Sequence, residues 1–394
     1  MRRTSIWVST VVAVTLLVPA AVASASRSAA PPPAPFHHPG VLVSQPGLDL
    51  VKQKLAAGAE PWKSAYADLR GSAYASLSWR PHPRAVVECG PNSNPDRGCT
   101  DEHMDGVAAY TQALIWYLTG DRRSAAKAIQ ILNAWPPVLK KHTNSNAPLQ
   151  TAWSGTIFAR AAELVRYSGA GWSAKDAARF GTMLHDLYLP MIINGAPGSN
   201  GNWELTMIDA IASIGVYLDA HATFDKAMGM WRKRVPAYLY LKSDGPTPVP
   251  PPGTSMNRKE VISYWQGQST FVDGLAQETC RDFGHTGWGI EAAVQTAETA
   301  RLQGVDLYGE QRVRITRALE FHAQYDLGTK APSWLCHGRI HRGLGPVLEV
   351  AYNEYHNRLG MSLPNVAALI AKTRPEGTED HFIAWETLTH ANNP

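Results

Sequence analysis

One short segment, residues 277–289, carries the densest group of side chains in the chain that could do chemistry. Its sequence is Q-E-T-C-R-D-F-G-H-T-G-W-G. Four polar residues recur in it at spacings of three and four, so on a helix they would share one face. They are Gln277, Glu278, Arg281 and His285. A histidine among glycines suits proton transfer, because an imidazole gains and loses a proton near neutral pH.

The residue types in this segment leave three interpretations open. It is a catalytic loop, a metal site, or a polar helix end held by a disulfide through Cys280. Gly284 and Gly287 predict that a helix ends close to His285, since glycine commonly terminates helices. In the structural interpretation, Glu278 and Arg281 would form an ordinary ion pair on that helix.

A glycine-rich loop, N-G-A-P-G-S-N-G-N over residues 194–202, leads into a helical pattern. Asn200 or Asn202 stands at the position of an N-cap, and capping alone would explain either residue. The functional alternative is that the amide of Asn202 binds an anionic group, helped by the positive end of the helix dipole.

Two later segments add cationic and phenolic groups. In C-H-G-R-I-H-R, residues 336–342, the two histidines are four apart, but a glycine lies between them and glycines follow, so a zinc site is disfavoured. Arg339 and Arg342 are better explained as a basic cluster for an acidic substrate. In E-V-A-Y-N-E-Y-H-N-R, residues 349–358, three residues follow one another at intervals of three, so on a helix they would share one face. These are Tyr352, Tyr355 and Arg358.

Helical periodicity dominates the elements that must position these groups. The pattern predicts helices over Gln150–Tyr167, Trp203–His221 and Gly289–Gln303, among others, and few strands. We therefore predict an all-α chain of stacked helix pairs, either an open solenoid or a closed α/α toroid. The 13 tryptophans and 14 tyrosines favour a toroid that handles carbohydrate, because sugar faces stack on aromatic rings.

The N-terminus has the pattern of an exported protein. Residues 1–25 combine a basic start, an apolar stretch and Ala23-Ser24-Ala25, which predicts a signal peptide. Residues 26–40 predict a disordered Pro/Ala-rich leader, and residues 41–394 a single domain. We expect a secreted monomer with no membrane contact once the signal peptide is removed. The formal net charge of +4, two charges of which belong to the signal peptide, gives no general field for nucleic acid.

The four cysteines allow three disulfide pairings in an exported chain. A turn-rich loop separates Cys89 from Cys99, which favours a local bond between them. That choice leaves Cys280 to pair with Cys336. The cysteines form no C-x-x-C motif, which argues against a zinc knuckle.

Several motifs in order along the chain resemble the alginate lyase superfamily of polysaccharide lyases. They are S78-W-R-P-H-P-R, Y117-L-T-G-D, L149-Q-T-A-W, N200-G-N-W-E, R281-D-F-G-H-T and A351-Y-N-E-Y-H-N-R-L-G. The resemblance implies an incomplete (α/α) toroid that cleaves a uronic-acid polymer by β-elimination. Well-known members carry Asn-Asn-His where this chain has Asn-Gly-Asn, so Asn202 stands at the position of the histidine.

Elimination needs a group that neutralises the uronate carboxylate, a base for the C5 proton and an acid for the leaving oxygen O4. With the resemblance, we expect Asn202 and an arginine in the first role, and His285 or a tyrosine, Tyr352 or Tyr355, in proton transfer. Gln150, Trp153 and Trp203 would line the sugar subsites. Glu278, Arg281, Arg339, Arg342 and Arg358 are the other expected substrate-binding residues. The scheme requires no metal and no cofactor.

Two other functions stay open on the sequence. An α/α-barrel glycoside hydrolase would need two carboxylates across the scissile bond. Glu278, Asp282, Glu204 and Asp101 could supply them. The chain could also be a secreted carbohydrate-binding protein without catalytic activity.

Overall fold

The structure, a computed structural model, describes residue 1, residues 4–13 and residues 34–393. The predicted cleavage pattern at Ala23-Ser24-Ala25 and the proline run 31–33 lie outside the described residues. Residues 35–394 form one compact unit. Among the residues that the structure describes, no helix is both long and apolar enough to cross a membrane.

Helices account for most of this unit, as the periodicity predicts. In chain order they are α1 (Gln45–Ala56), α2 (Trp62–Gly71), α3 (Cys99–Thr119), α4 (Arg122–Ala134), α5 (Ala147–Tyr167), α6 (Ala174–Met183), α7 (Leu189–Ile192), α8 (Gly201–Tyr217), α9 (His221–Tyr238), α10 (Arg258–Tyr264), α11 (Phe283–Leu302), α12 (Leu307–Glu310), α13 (Arg312–Asp326), α14 (Glu349–Tyr352), α15 (Pro364–Thr373) and α16 (Glu386–His390). Single π-helical turns join α6 to α7, over Leu184–Tyr188, and continue α14 over Asn353–Arg358.

Four long helices are buried on nearly every side, namely α3, α5, α8 and α11. Their sequences are rich in alanine and in aliphatic residues around the whole circumference, which is typical of helices in the middle of a large protein. Helices α4, α6 and α9 pack outside them and bury only one face, with charged residues on the other. The predicted helix pairs therefore consist of one buried and one outer helix.

The buried helices are arranged as a ring. Helix α3 contacts α5, α5 contacts α8, and α8 contacts α11. Short elements complete the circuit, because α11 contacts α14, α14 contacts α16, and α16 contacts α1 and α2, beside α3. Each buried helix is followed by an outer one that returns the chain, so the N-terminal ends of the buried helices point the same way. We call this side the N-terminal end of the ring.

A small sheet and a disulfide lie just before α3. Strand β1 (Val86–Cys89) pairs antiparallel with β2 (Asp96–Arg97) and parallel with β3 (Lys141–Thr143). Cys89 and Cys99 are bonded, with Cα atoms 5.9 Å apart, and Cys280 is bonded to Cys336, with Cα atoms 5.1 Å apart. Both predicted disulfides are thus confirmed.

Three helices escape the periodicity analysis. Helices α1 and α2 were not predicted, and α10 lies within 242–268, which the sequence predicts as a long irregular segment. Helix α10 is short and buries only Val261, so its pattern is too brief to recognise. Phe36 and His38, which the sequence assigns to the leader, pack on the body, where Phe36 stacks on His221 and His38 on Tyr167.

Candidate active site

The segment 277–289 lies where α11 begins, not where a helix ends. Asp282 is the N-cap, and one of its carboxylate oxygens accepts a hydrogen bond from the backbone N–H of His285 at 2.7 Å. His285 therefore sits in the first turn of α11. Capping by aspartate satisfies an N–H group that a helix start leaves free.

Glycines near the starts of α8 and α11 allow close packing and do not end a helix. A Cβ atom at Gly289 would overlap the Tyr238 hydroxyl, and one at Gly201 would overlap the Tyr238 ring. Tyr238 is fully buried between the starts of α8 and α11. Only glycine lets the two helices approach this ring, which explains why a glycine-rich sequence continues as a helix here.

Helix α8 is capped by side chains from the neighbouring segment. The backbone N–H of Gly201 donates to Gln277 at 2.9 Å, and that of Asn202 donates to Glu278 at 3.1 Å. Asn200 is the N-cap residue, but its side chain makes no capping bond. Instead its oxygen accepts from the amide of Gln277 at 3.0 Å. The start of α8 and the approach to α11 are thereby held together.

Glu278 is the buried charge at the centre of this contact. It is fully buried, and its oxygens lie 2.7 and 2.8 Å from Nδ2 of Asn202 and 2.9 Å from a guanidinium nitrogen of Arg281. The positive end of the α8 dipole adds to these bonds. A buried carboxylate without such partners would be costly, so Glu278 specifies the positions of Asn202 and Arg281.

His285 and Asp282 form a hydrogen-bonded pair at the surface of the site. Nδ1 of His285 lies 2.7 and 2.9 Å from the two oxygens of Asp282, and each side chain is about one third exposed, at 34% and 32%. Burial would raise the pKa of Asp282, but the hydrogen bonds from His285 and the charge of Arg281 outweigh it and lower that pKa. An ionised carboxylate only accepts, so Nδ1 carries a proton and Nε2 keeps its lone pair in the neutral imidazole.

Arg281 links this pair to Glu278. Its NH1 group binds Glu278, its Nε atom is 4.0 Å from Asp282, and 31% of its side chain is exposed. Part of the guanidinium therefore remains open to a ligand near Asp282. Guanidinium groups bind carboxylates well because their N–H donors are planar and paired.

Aromatic rings continue the site from His285 towards α5. The ring of Trp288 lies 5.7 Å from that of His285, and Trp153 of α5 lies 5.3 Å from Trp288. Trp203, half-buried in the first turn of α8, follows Asn202 directly. The structure thus brings six predicted residues to the N-terminal end of the ring. These are Asn202, His285, Glu278, Arg281, Trp153 and Trp203.

The disulfide from Cys280 brings the loop 336–345 to the start of α11. The backbone N–H of Phe283 donates to the carbonyl of His341 at 2.8 Å, which reinforces that connection. Arg342 binds the carbonyl oxygens of Tyr325 and Thr329 at 2.7 and 2.9 Å, so its guanidinium holds the loop to the end of α13. Arg339 is exposed on the same loop and stays available to a ligand.

Four other predicted site residues lie apart from this cluster. Gln150 is fully buried, and its amide donates to the carbonyl of Cys99 and to Glu102. Tyr355 donates to the carbonyl of Tyr308, and Tyr352 stacks on His356 with ring centroids 4.6 Å apart.

Arg358 binds Glu298 at 3.0 Å. Glu298 lies 13 residues after His285 in α11, which is roughly 20 Å along the helix. Tyr355 and Arg358 thus belong to the opposite end of the ring, and their roles in chemistry stay predictions.

The carboxylates that a glycoside hydrolase would need are each engaged elsewhere. Glu278 is buried against Asn202, Asp282 is bound to His285, and Glu204 lies 3.2 Å from the buried Arg234. Asp101 pairs with Arg84 at 2.8 Å. No two of them stand free across an open space in the described residues, so the arrangement does not favour hydrolysis with two carboxylates.

Sequence reasoning missed the importance of Asp282 and Trp288. The signal for Asp282 was present, because an aspartate three residues before a histidine fits both an N-cap and an i,i+3 pair. In the part of the chain that the structure describes, no group of three or more His, Cys, Asp or Glu side chains is arranged to hold a metal ion.

Comparisons with known proteins by sequence family and by fold both find alginate lyases. The family model described as Alginate lyase matches residues 53–248. The fold is similar to that of alginate lyase A1-III from Sphingomonas species A1, with a TM-score of 0.62, 15% identity, and coverage of 91% of this chain and 97% of that one.

Two further structures are similar. An alginate lyase from Bacteroides ovatus has a TM-score of 0.56 and 15% identity, with 90% of this chain and 99% of that chain covered. A variant of A1-III complexed with a tetrasaccharide has a TM-score of 0.62 and 16% identity, with 89% and 94% covered. A search of curated proteins found no match. The likeness in fold confirms the predicted all-α toroid.

Proposed function

We propose that this chain is a polysaccharide lyase of the alginate lyase superfamily and that it cleaves a uronic-acid polymer of the alginate or glucuronan type, with His285 moving the proton. The observation that carries this proposal is the His285–Asp282 pair, whose carboxylate also lies 4.0 Å from the partly exposed guanidinium of Arg281. A base next to a carboxylate-binding cation is what abstraction of a C5 proton requires.

Neutralisation of the uronate carboxylate is the first requirement. The C5 proton is very weakly acidic, and its removal places negative charge on the adjoining carboxylate. We assign the binding of that carboxylate to Arg281, because Glu278, which also binds the buried Asn202, holds the guanidinium in place. Donors that are already positioned stabilise developing charge without reorganising during the reaction.

Proton transfer then falls to His285. Nε2 takes the C5 proton, the C5–H electrons form the C4=C5 double bond, and the C4–O4 bond breaks. The leaving oxygen O4 needs a proton, and the imidazolium that has just formed can return one if both groups lie on the same sugar face. Asp282 stabilises this imidazolium through Nδ1. The step consumes no water and yields a 4,5-unsaturated uronate end.

Export of the protein is part of the proposal. The pattern of residues 1–25 and the two disulfides support a secreted enzyme, since disulfides persist in oxidising compartments. Trp153, Trp203 and Trp288 would stack against sugar rings of the polymer. Arg339, on the exposed loop, would bind a carboxylate of a more distant uronate in the same polysaccharide.

A lyase screen tests the proposed function. Purified protein is mixed with polymannuronate, polyguluronate, glucuronan and hyaluronan, and the ultraviolet absorbance of the unsaturated product is followed. We expect at least one of these polymers to give the chromophore. New reducing ends without a chromophore would indicate a hydrolase, and binding without turnover would indicate a binding protein.

Variants of the site sharpen this test. His285→Gln and Arg281→Gln should each lower kcat/KM by roughly 100-fold or more. His185 provides a matched control, because it forms an exposed His–Asp pair with Asp186 on the outside of the ring at 2.7 Å. His185→Gln should keep full activity. Equal losses in all three variants would contradict the assignment of His285.

A further inference from the structure

A second histidine–carboxylate pair lies on the other side of Trp288 from His285. It belongs to the C-terminal loop, residues 374–385, between α15 and α16. The Nδ1 atom of His381 is 2.9 Å from the carbonyl oxygen of Glu379 and 3.1 Å from its carboxylate. Neither His381 nor Glu379 is required by the proton transfer described above.

Three aromatic rings from three helices surround the imidazole of His381. The ring of Trp153 is 4.6 Å away edge to face, that of Trp288 is 5.1 Å away, and that of His103 is stacked at 4.2 Å. Aromatic faces attract a cation that lies within about 6 Å. The surroundings of His381 therefore favour its protonated form while leaving 23% of its side chain exposed.

The charges that face this imidazole act in the same direction. Burial would lower the pKa of His381, but the hydrogen bonds and charge of Glu379 and the charge of Asp380 outweigh it and raise that pKa. Burial and the charge of His381 lower the pKa of His103 to about 4, so the stacked partner stays neutral. With Nδ1 committed to Glu379, the remaining N–H of a charged His381 is Nε2–H.

Next to His381 lies a hydrogen-bond donor that has no acceptor among the described residues. The indole N–H of Trp153 is buried and has no acceptor among the described residues, although its side chain packs on His381 and Trp288. A buried donor without an acceptor is costly, and an acceptor brought by a ligand would remove that cost. A carboxylate offers two acceptor oxygens to such a pair of donors.

We propose that His381 and the indole N–H of Trp153 form a second carboxylate subsite, which binds the uronate next to the one whose C5 proton His285 removes. The inference rests on the proposed function. Two carboxylate-binding places side by side would make the enzyme prefer a polymer in which uronates follow one another directly. Trp288 lies between the two histidines and would stack on the sugar that connects both carboxylates.

Binding of defined oligosaccharides tests this subsite apart from catalysis. All variants carry His285→Gln, which removes the group that moves the proton and slows turnover. Calorimetry then measures the affinity of tetramannuronate, tetraguluronate and tetraglucuronate, and of the carboxyl-reduced form of whichever binds best. We expect the added His381→Gln to weaken binding of that uronate by roughly 10- to 100-fold, and binding of the reduced form by less than about 2-fold.

The pH dependence separates a charge from a structural role. Affinity for the uronate should fall as the pH rises above neutral and His381 loses its proton, and His381→Arg should restore affinity and remove this dependence. His185→Gln is the control, and thermal unfolding of each variant reports on folding. Unchanged affinity in His381→Gln, or equal losses for the charged and reduced sugars, would overturn the subsite.

The two proposals fail differently. If the enzyme yields the unsaturated product but His381→Gln binds the uronate as before, only the second subsite is wrong. If the His285→Gln protein binds none of the three tetrauronates and the unmodified protein cleaves no uronate polymer, the proposed function and the subsite are both wrong.

Discussion

At the scale of single residues, the site depends on which nitrogen of His285 carries the proton. Asp282 determines this, because its carboxylate accepts at 2.7 Å and leaves Nε2 as the basic atom. The same aspartate caps α11, so one side chain serves both the helix and the imidazole. A substitution that keeps the cap but removes the charge can separate these two effects.

Asp282→Asn is that substitution. Asparagine caps helices about as well as aspartate, so we expect the Tm to change by little. It no longer stabilises an imidazolium, and kcat should fall by roughly 100- to 10,000-fold. Steady-state rates and thermal unfolding check the two effects. Asp121→Asn, at the N-cap of α4, is the matched control and should leave the rate unchanged.

At the scale of elements, the site lies where α8 and α11 begin and where the loop 336–345 is attached to them. Gln277 and Glu278 cap α8, while the disulfide from Cys280 attaches the loop 336–345 to the start of α11. Each connection joins segments far apart in sequence. Loss of any one of them should loosen the positions of Arg281 and His285 before the ring itself opens.

Removal of the Cys280–Cys336 bond tests this. The two residues are 56 positions apart, and the chain-entropy estimate for such a loop is about 4 kcal/mol of stability. We expect Cys280→Ser/Cys336→Ser to lower the Tm and also the activity of the folded fraction. Cys89→Ser/Cys99→Ser, with a separation of 10 and an estimate of about 3 kcal/mol, should lower the Tm alone. Full activity in the first variant would contradict a positioning role.

At the scale of the whole molecule, the centre of the ring holds buried acids with few cations. Arg160 binds Gln295 at 2.6 Å and lies 3.8 Å from Glu386. Burial, with the charge of Glu349 adding to it, raises the pKa of Glu376 to about 8. Burial also raises the pKa of Asp209 to about 7. These groups are neutral in the folded protein at mildly acid pH.

This burial predicts how stability depends on pH. A carboxyl whose pKa is raised on folding holds its proton longer in the folded state, so its stabilising effect is complete at low pH. For Glu376, that effect is lost as the pH rises from the pKa of glutamate in the unfolded chain, about 4.3, through its pKa in the folded protein, about 8. Glu376→Gln imitates the protonated acid. Its Tm should match the unmodified protein near pH 5 and exceed it by about 2 °C or more at pH 8.5.

An exposed carboxylate gives the comparison for this experiment. Hydrogen bonds from Ser64 lower the pKa of Glu60, so Glu60→Gln should show no gain in Tm at pH 8.5. If both variants gained equally, the pH effect would come from net charge and not from the buried acid. Differential scanning calorimetry at both pH values decides between these outcomes.

Much of the architecture follows from the sequence alone. The helical pattern of apolar residues predicts the long helices, and the loop between Cys89 and Cys99 favours the two disulfides that form. The helices α1, α2 and α10 were missed because short or weakly patterned segments are stabilised by their tertiary contacts and not by their own periodicity.

The sequence by itself determined the residue types of the site and where in the chain they occur, since local spacing marked Glu278, Arg281 and His285. Only the tertiary structure decided which other residues they contact. It placed Asn202 on Glu278 and Trp153 on Trp288, and it left Tyr355 at the other end of the ring. Periodicity reports which face of a helix is buried but not which residues of distant helices meet. That choice depends on side-chain packing and on glycines that admit Tyr238 between α8 and α11.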